Sequence, residues 1–234
     1  RQRHAAAGDG RPVRPAGEPG QSKQAVIPEK KQDDKQKENM YFYAGLVASP
    51  VFTSVKSQDV QSGYSVGLLA GLHVTKNISV ETGVRKEMRK INTDGKYFSN
   101  EYLKLKNTTS LEHAKGDVKI TNIPIFVKYD IPIKNNNNFF ISAGTNLAIV
   151  HKENYDFSLM RNGVEANVNR TFYSKPPNKM FTDFIVSGGF EKSIMEKGKL
   201  RIEPWYSLPV HGLGMGQVKA SNMGVNLGVT LDFK

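Results

Sequence analysis

The sequence contains no cysteine. This absence excludes disulfides, thiolate metal sites and cysteine nucleophiles, and it suits a chain that crosses an oxidising compartment without forming mispaired bridges. The sequence also has no run of 18 or more apolar residues, which excludes a transmembrane helix. A mean hydropathy of -0.48 is still compatible with a lipid-facing surface, because membrane strands hide their hydrophobicity in alternation.

The first 39 residues have no aromatic side chain, since all 12 Phe, 9 Tyr and 1 Trp lie at or beyond Tyr41. Four prolines stand there among Gly, Lys, Asp and Gln, so the segment cannot bury enough apolar surface to offset the entropy of ordering. We therefore predict a disordered tail over 1–39 and one folded domain over 40–234. The chain begins with Arg1 and has no signal-peptide core, so we expect a processed or truncated piece.

The formal net charge is +11, but Lys and Arg are scattered over tail, loops, turns and strands. No basic helix or base-stacking motif accompanies them, so we expect no nucleic-acid partner. Anionic lipid headgroups and lipopolysaccharide phosphates are the simpler partners for basic rims. No His-x-x-x-His motif or acidic cluster suggests a metal, and we predict no cofactor.

From Met40 onwards the sequence consists of segments of alternating polarity, each near the 9 to 11 residues that a tilted membrane strand needs. We predict eight strands, approximately Met40–Ser49, Gly63–Thr75, Ile78–Lys90, Asp117–Ile131, Phe139–Val150, Phe181–Ser193, Leu200–Leu208 and Met223–Phe233. Short turns near Lys76–Asn77, Lys134–Asn138 and Glu196–Lys199 alternate strictly with long polar stretches. This alternation predicts an antiparallel up-and-down barrel with short turns on one rim and long loops on the other.

The polar face of these strands decides which side the apolar face meets. It is rich in small residues: Ser65, Gly67, Gly71, Gly83, Ser142, Gly144, Ser187, Gly189 and Gly228. A solvent-exposed face gains nothing from glycine, whereas the crowded lumen of a narrow barrel needs small residues to leave room for large ones. We therefore predict that the apolar face meets lipid. The alternative is a soluble, lipocalin-like barrel that carries a ligand among apolar lumen residues.

The last strand carries a recognisable motif, with a polar Asn226, then Gly228, then Leu231 and the aromatic Phe233. It resembles the C-terminal assembly signal of bacterial outer-membrane barrels, although Lys234 follows the aromatic residue. Residues 40–234 resemble the small outer-membrane β-barrel domains of Bacteroidetes grouped with the PorT-like family, and more distantly the OmpA and OmpX membrane domains. The resemblance implies a monomer in the outer membrane, contact with the barrel-assembly machinery, and a tail in the periplasm.

Charged residues on the polar face form the most informative set. They are Glu81, Arg85, Lys128, Glu191, Arg201, Glu203 and Asp232. An unpaired charge is costly in a narrow interior, so we predict a salt-bridge network. We favour a network that fills and closes the barrel; the alternative is a gate whose pairs exchange to open a small pore.

Some outer-membrane barrels are enzymes that modify lipid A, which makes the histidines candidate catalytic residues. His113 stands next to Ser110 and Glu112, but proximity in sequence does not make a triad. We predict a non-enzymatic structural or interaction protein, with a lipid A-modifying enzyme as the alternative. The stretches Asn92–Gly116 and His151–Met180 combine basic and aromatic residues, which suits contact with lipopolysaccharide or a protein partner. Equally, they could be strand extensions whose aromatic residues pack on each other.

Overall fold

The computed structural model describes residues 40–56, 58–101, 103–133, 137–173 and 181–233. The predicted tail over 1–39 lies outside these ranges. Within them the chain forms β1 (Tyr41–Ser54), β2 (Gln61–His73), β3 (Ile78–Asp94), β4 (Thr109–Pro132), β5 (Asn138–Arg161), β6 (Val164–Phe172), β7 (Asp183–Ser193), β8 (Gly198–Pro209) and β9 (Ser221–Phe233). A 3-10 turn at Gly95–Tyr97 follows β3. No helix in the described ranges is long and apolar enough to cross a membrane.

Eight of the strands form a closed antiparallel ring, because each pairs with the next and β9 pairs with β1. The ninth, β6, stands outside the ring and pairs with the second half of β5. The β1–β9 seam runs from Phe42 opposite Phe233 to Ser54 opposite Ser221. The predicted eight-stranded up-and-down barrel is therefore confirmed.

The two rims of the ring differ as the sequence predicts. Short connections join β2 to β3, β4 to β5 and β7 to β8 on the rim where β1 begins and β9 ends. We call this the short-turn rim; residues 134–136 of its middle turn lie outside the described ranges. The opposite, long-loop rim carries the connections around 55–60, 95–108, 162–182 and 210–220.

Towards the long-loop rim, β4 and β5 extend further than the strands predicted from the sequence. β4 and β5 have 24 residues each, and β6 lies wholly inside the stretch that was expected to be a loop. A strand of that length spans about 80 Å, or about 60 Å along a barrel axis at a tilt of about 40°, against an apolar band of about 25 Å. The extra length projects beyond the band, where strand pairing continues without lipid to impose alternation.

The outside of the ring is apolar and the inside is polar. Phe42 and Leu46 are each 63% exposed on the outer face, while Glu81 and Lys128 are buried in the lumen. The same parity holds along β9, where every second residue from Met223 to Phe233 is exposed. The prediction that the apolar face points away from the lumen is confirmed, and the soluble ligand carrier with its apolar lumen is excluded.

Small residues on the inner face make room for large neighbours. A Cβ atom at Gly71 would lie 2.1 Å from the Tyr43 ring, and one at Gly189 would lie 2.6 Å from the Phe140 ring. Both distances are far inside van der Waals contact, so only glycine fits beside these rings. The predicted reason for glycine on the polar face, a crowded narrow lumen, is thereby confirmed at these two positions.

Candidate functional site

The lumen nearest the short-turn rim holds interlocking ion pairs from four strands. Arg201 on β8 binds Glu81 on β3 through two hydrogen bonds of 2.6 and 3.0 Å. Lys128 on β4 donates to Glu191 on β7 at 2.7 Å and lies 3.7 Å from Glu81. We call these residues together with Glu203 and Asp130 the lumen charge network. Buried charges need this dense pairing, because the low dielectric makes an unpaired ion very costly.

Aromatic rings complete the coordination of the two cations. Lys128 Nζ lies 4.8 Å and the Arg201 guanidinium carbon 4.4 Å from the centre of the Phe140 ring. The Tyr43 hydroxyl donates to Glu81 Oε1 at 2.5 Å. The π-face of Phe140 thus serves both cations, and the phenol adds a donor to a carboxylate that already accepts from Arg201.

Arg85 lies in the middle of the lumen and takes little part in these pairs. Its Nη1 donates to Asn226 Oδ1 at 3.4 Å, and its Nε has no hydrogen-bond partner among the described residues. Asn226 in turn donates to Glu203, which also accepts from Ser187. The cavity beside Arg85 measures only about 20 Å³, enough for about one water molecule.

A second buried cluster lies between this cavity and the long-loop rim. Arg89 bonds Glu87 and also lies 3.5 Å from Asp183 on β7. Asn122 on β4 donates to the other oxygen of Glu87 at 2.6 Å. Polar contacts therefore fill the lumen at two levels.

Five further charged residues face the lumen but are not in the set predicted from the sequence, although the parity of their strands indicates them: Glu87, Arg89, Asp130, Asp183 and Lys199. Asp130 lies two residues from Lys128 on the same face and 3.2 Å from its ammonium group. Glu87 and Arg89 continue the inward series that starts at Glu81. The predicted member Asp232 is not joined to the others, because its partner is Lys199 at 3.2 Å near the short-turn rim.

Beyond the polar lumen, the long-loop end is filled by an apolar cluster, which we call the outer cap. Phe98 packs edge-on against Tyr155 and Phe157 at centroid distances of 5.1 and 5.3 Å. Val55, Ile91, Val118 and Val218 are among the other buried members, so all parts of this rim contribute. The aromatic residues of the long stretches therefore pack on each other above the ring, as one of the two sequence interpretations proposed.

The glycine-rich segment Gly212–Gly216 shapes the outer cap. Gly214 has φ +70° and lies against the Glu153 carboxylate, which accepts from the Met215 amide at 3.0 Å. Gly216 contacts the Phe98 ring and accepts from the Ser99 amide at 2.7 Å. Burial, together with the Glu153 carboxylate beside it, raises the pKa of the Tyr155 phenol well above its usual range.

The histidines do not assemble with the residues that flank them in sequence. Ser110 donates to Glu112, while His113 contacts Asn92 and lies 3.8 Å from Asp94. Ser79 and Asp130 in the lumen both approach the same atom, Nδ1 of His73, at 2.8 and 3.9 Å. A serine hydrolase needs its serine and its carboxylate on opposite ring nitrogens, so this arrangement is not a triad. The described residues contain no group of three or more potential metal ligands.

The C-terminal motif lies on both faces of β9. Asn226 and Gly228 face the lumen, where Gly228 leaves space beside Arg201, while Leu231 and Phe233 are exposed on the outer face. Phe233 pairs with Phe42 at the seam that closes the ring. Recognition of this strand by the assembly machinery stays a prediction.

Comparison with known proteins gives one family. The family model described as "Outer membrane protein beta-barrel domain" matches residues 31–211. No curated protein matches the chain.

Comparison with solved structures finds outer-membrane proteins that align with most of this chain. Neisserial surface protein A is 14% identical with a TM-score of 0.52, and the match covers 84% of this chain and all of that one. OprG from Pseudomonas aeruginosa is 13% identical over 84% and 96% of the two chains, with a TM-score of 0.44. The outer membrane protease OmpT from Escherichia coli is 7% identical over 83% and 97%, with a TM-score of 0.43. Because Neisserial surface protein A is only 14% identical, its similarity to this chain concerns the fold alone.

Proposed function

This chain belongs to the outer membrane protein β-barrel domain family, and we propose that it is a non-enzymatic barrel that acts through its outer surface. In this proposal the lumen charge network and the outer cap keep the lumen closed. The projecting strands and loops of the long-loop rim then bind a protein partner or lipopolysaccharide outside the cell. The protein functions as a monomer that needs no cofactor.

The small free volume inside the barrel supports a closed lumen. The cavity beside Arg85 has a volume of about 20 Å³, while a hydrated ion or a nutrient needs a continuous path many times wider. The charged residues around it are already paired across the lumen, and the outer cap adds a layer of apolar packing above them. Opening such a path would require breaking several buried ion pairs together, which is costly.

The size of the long-loop end favours an interaction role. β4, β5 and β6 build a sheet well beyond the apolar band, and β6 exposes most of its side chains. A barrel with a purely structural role does not need such an extension. Loops and extensions held by a rigid scaffold are where binding proteins place their contact residues.

Two finer assignments belong to the same proposal. β1 begins at the short-turn rim, which faces the periplasm in this family's architecture, so we place the tail over 1–39 in the periplasm. We also propose that the chain belongs to the PorT-like group of Bacteroidetes, because residues 40–234 and their last-strand motif resemble that group.

Conductance in a planar lipid bilayer tests the closed lumen. We expect the inserted protein to leave the membrane current at the level of the protein-free bilayer. Insertion is checked on the vesicles that deliver the protein to the bilayer, by the difference in gel mobility between unboiled and boiled samples. Stable open-channel currents from fully inserted protein would refute the closed lumen and favour the gated-pore alternative.

A further inference from the structure

The outward face of β7, β8, β9 and β1 contains an apolar groove of about 590 Å³. Its walls include Phe52, Val186, Gly188, Pro204, Met223 and Val225. The β7–β8 ladder pairs Ser187 with Trp205 and Phe190 with Ile202, and the two positions between them lie outside it. Pro204 has no amide hydrogen and Gly188 has no side chain, so the wall is depressed at this point.

A second hollow, of about 760 Å³, continues the groove towards the long-loop rim, since Tyr206 and Met223 line both. It contains Lys56 and Lys219 and no acidic residue among its lining. The seam pairs Phe52 with Met223 and Ser54 with Ser221. Lys56 and Lys219 each lie two residues beyond the last of these pairs, past the ends of β1 and β9, and both line the hollow.

Two like charges that line one hollow repel each other unless an anion lies between them. Both lysines are exposed and lie on the long-loop side of the apolar groove, beyond the ends of β1 and β9. Lys56 also has φ +48°, a conformation that ordinary residues rarely adopt. The chain thus holds a positive pair directly above an apolar groove that opens towards the hydrocarbon.

We propose that this surface binds one phosphorylated, multiply acylated glycolipid of the outer leaflet. A phosphate lies between the ammonium groups of Lys56 and Lys219, and one acyl chain occupies the groove over Gly188. The inference rests on the proposed orientation, in which the long-loop rim faces outwards, and it gives the lipid part of the proposed function a site. A free phosphate would not use the groove, and a water-soluble protein could not reach it.

The opposite wall offers a matched control. Lys86 and Lys119 also face outwards near the top of the band, beside Tyr64 and His151, around a hollow of about 470 Å³. They lie on β3 and β4, away from the groove. Replacing this pair removes the same charge from a different wall of the barrel.

The test is a binding titration of the full chain, folded in nanodiscs of zwitterionic lipid, with bisphosphorylated hexa-acylated lipid A. We expect Lys56→Ala/Lys219→Ala to weaken binding about 30-fold, since each lysine that contacts the anionic headgroup contributes about fivefold. Lys86→Ala/Lys119→Ala is expected to stay within about twofold of the unchanged protein. Gly188→Leu should fill the groove and also weaken binding, and its Cβ has room, with the nearest atoms at 3.5 and 3.8 Å.

Three outcomes would overturn the proposal. Equal losses in both double-lysine variants would reduce the effect to general attraction by a basic rim. Normal binding by Gly188→Leu would remove the groove as the acyl-chain site. Phosphatidylglycerol or inorganic phosphate competing as well as lipid A would refute the glycolipid. The mobility of unboiled samples identifies a chain that fails to insert, which would count against the proposed barrel itself.

Discussion

At the scale of single residues, Glu81 joins more strands through hydrogen bonds and ion pairs than any other side chain of the lumen charge network. It accepts from Arg201 on β8 and from Tyr43 on β1, and it lies within 3.7 Å of Lys128 on β4. One carboxylate on β3 therefore joins strands from three other positions around the ring. Because burial removes water from all these groups, their charges depend on one another for compensation.

Replacing Glu81 by Gln should destabilise the barrel strongly. The change keeps the shape but removes the carboxylate that accepts two hydrogen bonds from Arg201, and losing one partner of a buried pair costs about 3–5 kcal/mol. The measurement is the free energy of unfolding by urea in lipid vesicles. The double variant Glu81→Gln/Arg201→Gln should lose less than the sum of its single variants, since the two groups interact directly.

Lys96→Ala is the control for this prediction, because its ion pair with Asp94 is exposed on the long-loop side. Exposed pairs are screened by water and salt, so the unfolding transition should not move measurably. Additive single effects in the Glu81–Arg201 cycle would contradict the coupling described here.

Gly71 tests how tightly the lumen is packed. The three atoms nearest to an added Cβ all belong to the Tyr43 side chain, at 2.1 to 2.5 Å. Gly71→Ala should therefore destabilise the barrel by about 1–3 kcal/mol through overpacking. Adding Tyr43→Leu, which removes the ring, should recover part of this loss in the same urea measurement. An additive double variant would show that the ring does not cause the crowding.

How far the sequence predicts the lumen can be judged from Glu81 and its partners. Strand parity alone assigns Glu81, Lys128 and Arg201 to the inner face, and it would also assign Asp130 and Glu87. Parity does not tell which charges meet, because Glu81 and Arg201 are 120 residues apart in sequence. Their contact depends on how strand registers accumulate around the closed ring, and that information is not local.

At the scale of secondary-structure elements, predictability follows the apolar band. Inside it, lipid on one side and a polar lumen on the other impose strict alternation, so β9 could be placed almost residue by residue. Beyond it, both faces of β5 and β6 meet water or the outer cap. The alternation weakens there, so the sequence does not distinguish β6 from a loop. Alternation in the sequence therefore identifies a strand only where its two faces meet different surroundings.

The outer cap should be a separable layer of stability. Phe98→Ala removes two aromatic contacts from a cluster that the connections around 55–60, 95–108 and 210–220 share, at a cost of about 3–5 kcal/mol for a buried phenylalanine. We expect proteases to cut rapidly around 95–108 and 210–220, while the unboiled protein keeps its folded gel mobility. Tyr173→Ala, at a position 75% exposed, is the control and should leave the cleavage rate unchanged. Loss of folded mobility in Phe98→Ala would show that cap and ring unfold together.

At the scale of the whole molecule, the arrangement of apolar and polar residues is the reverse of that in a water-soluble barrel. The hydrophobic side chains that would drive collapse in water lie on the outside, while the lumen is filled by ion pairs. Transfer of the outer face into hydrocarbon therefore has to supply the driving force for folding. Closure of the ring satisfies the backbone groups that an open edge would leave bare in lipid.

This dependence on lipid predicts how two truncations behave. A chain without residues 1–39 should still fold, because the described ring begins at Tyr41, but only in detergent micelles or bilayers. A chain without residues 231–234 loses the seam pairs of Phe42, Tyr43 and Ala44, together with the pair between Leu231 and Gly198 of β8, so its ring cannot close at the short-turn rim. Circular dichroism and gel mobility before and after boiling measure both. A soluble, monodisperse β-protein in plain buffer from the first truncation would contradict the lipid-driven fold, whereas folding of the second would show that closure tolerates an incomplete seam.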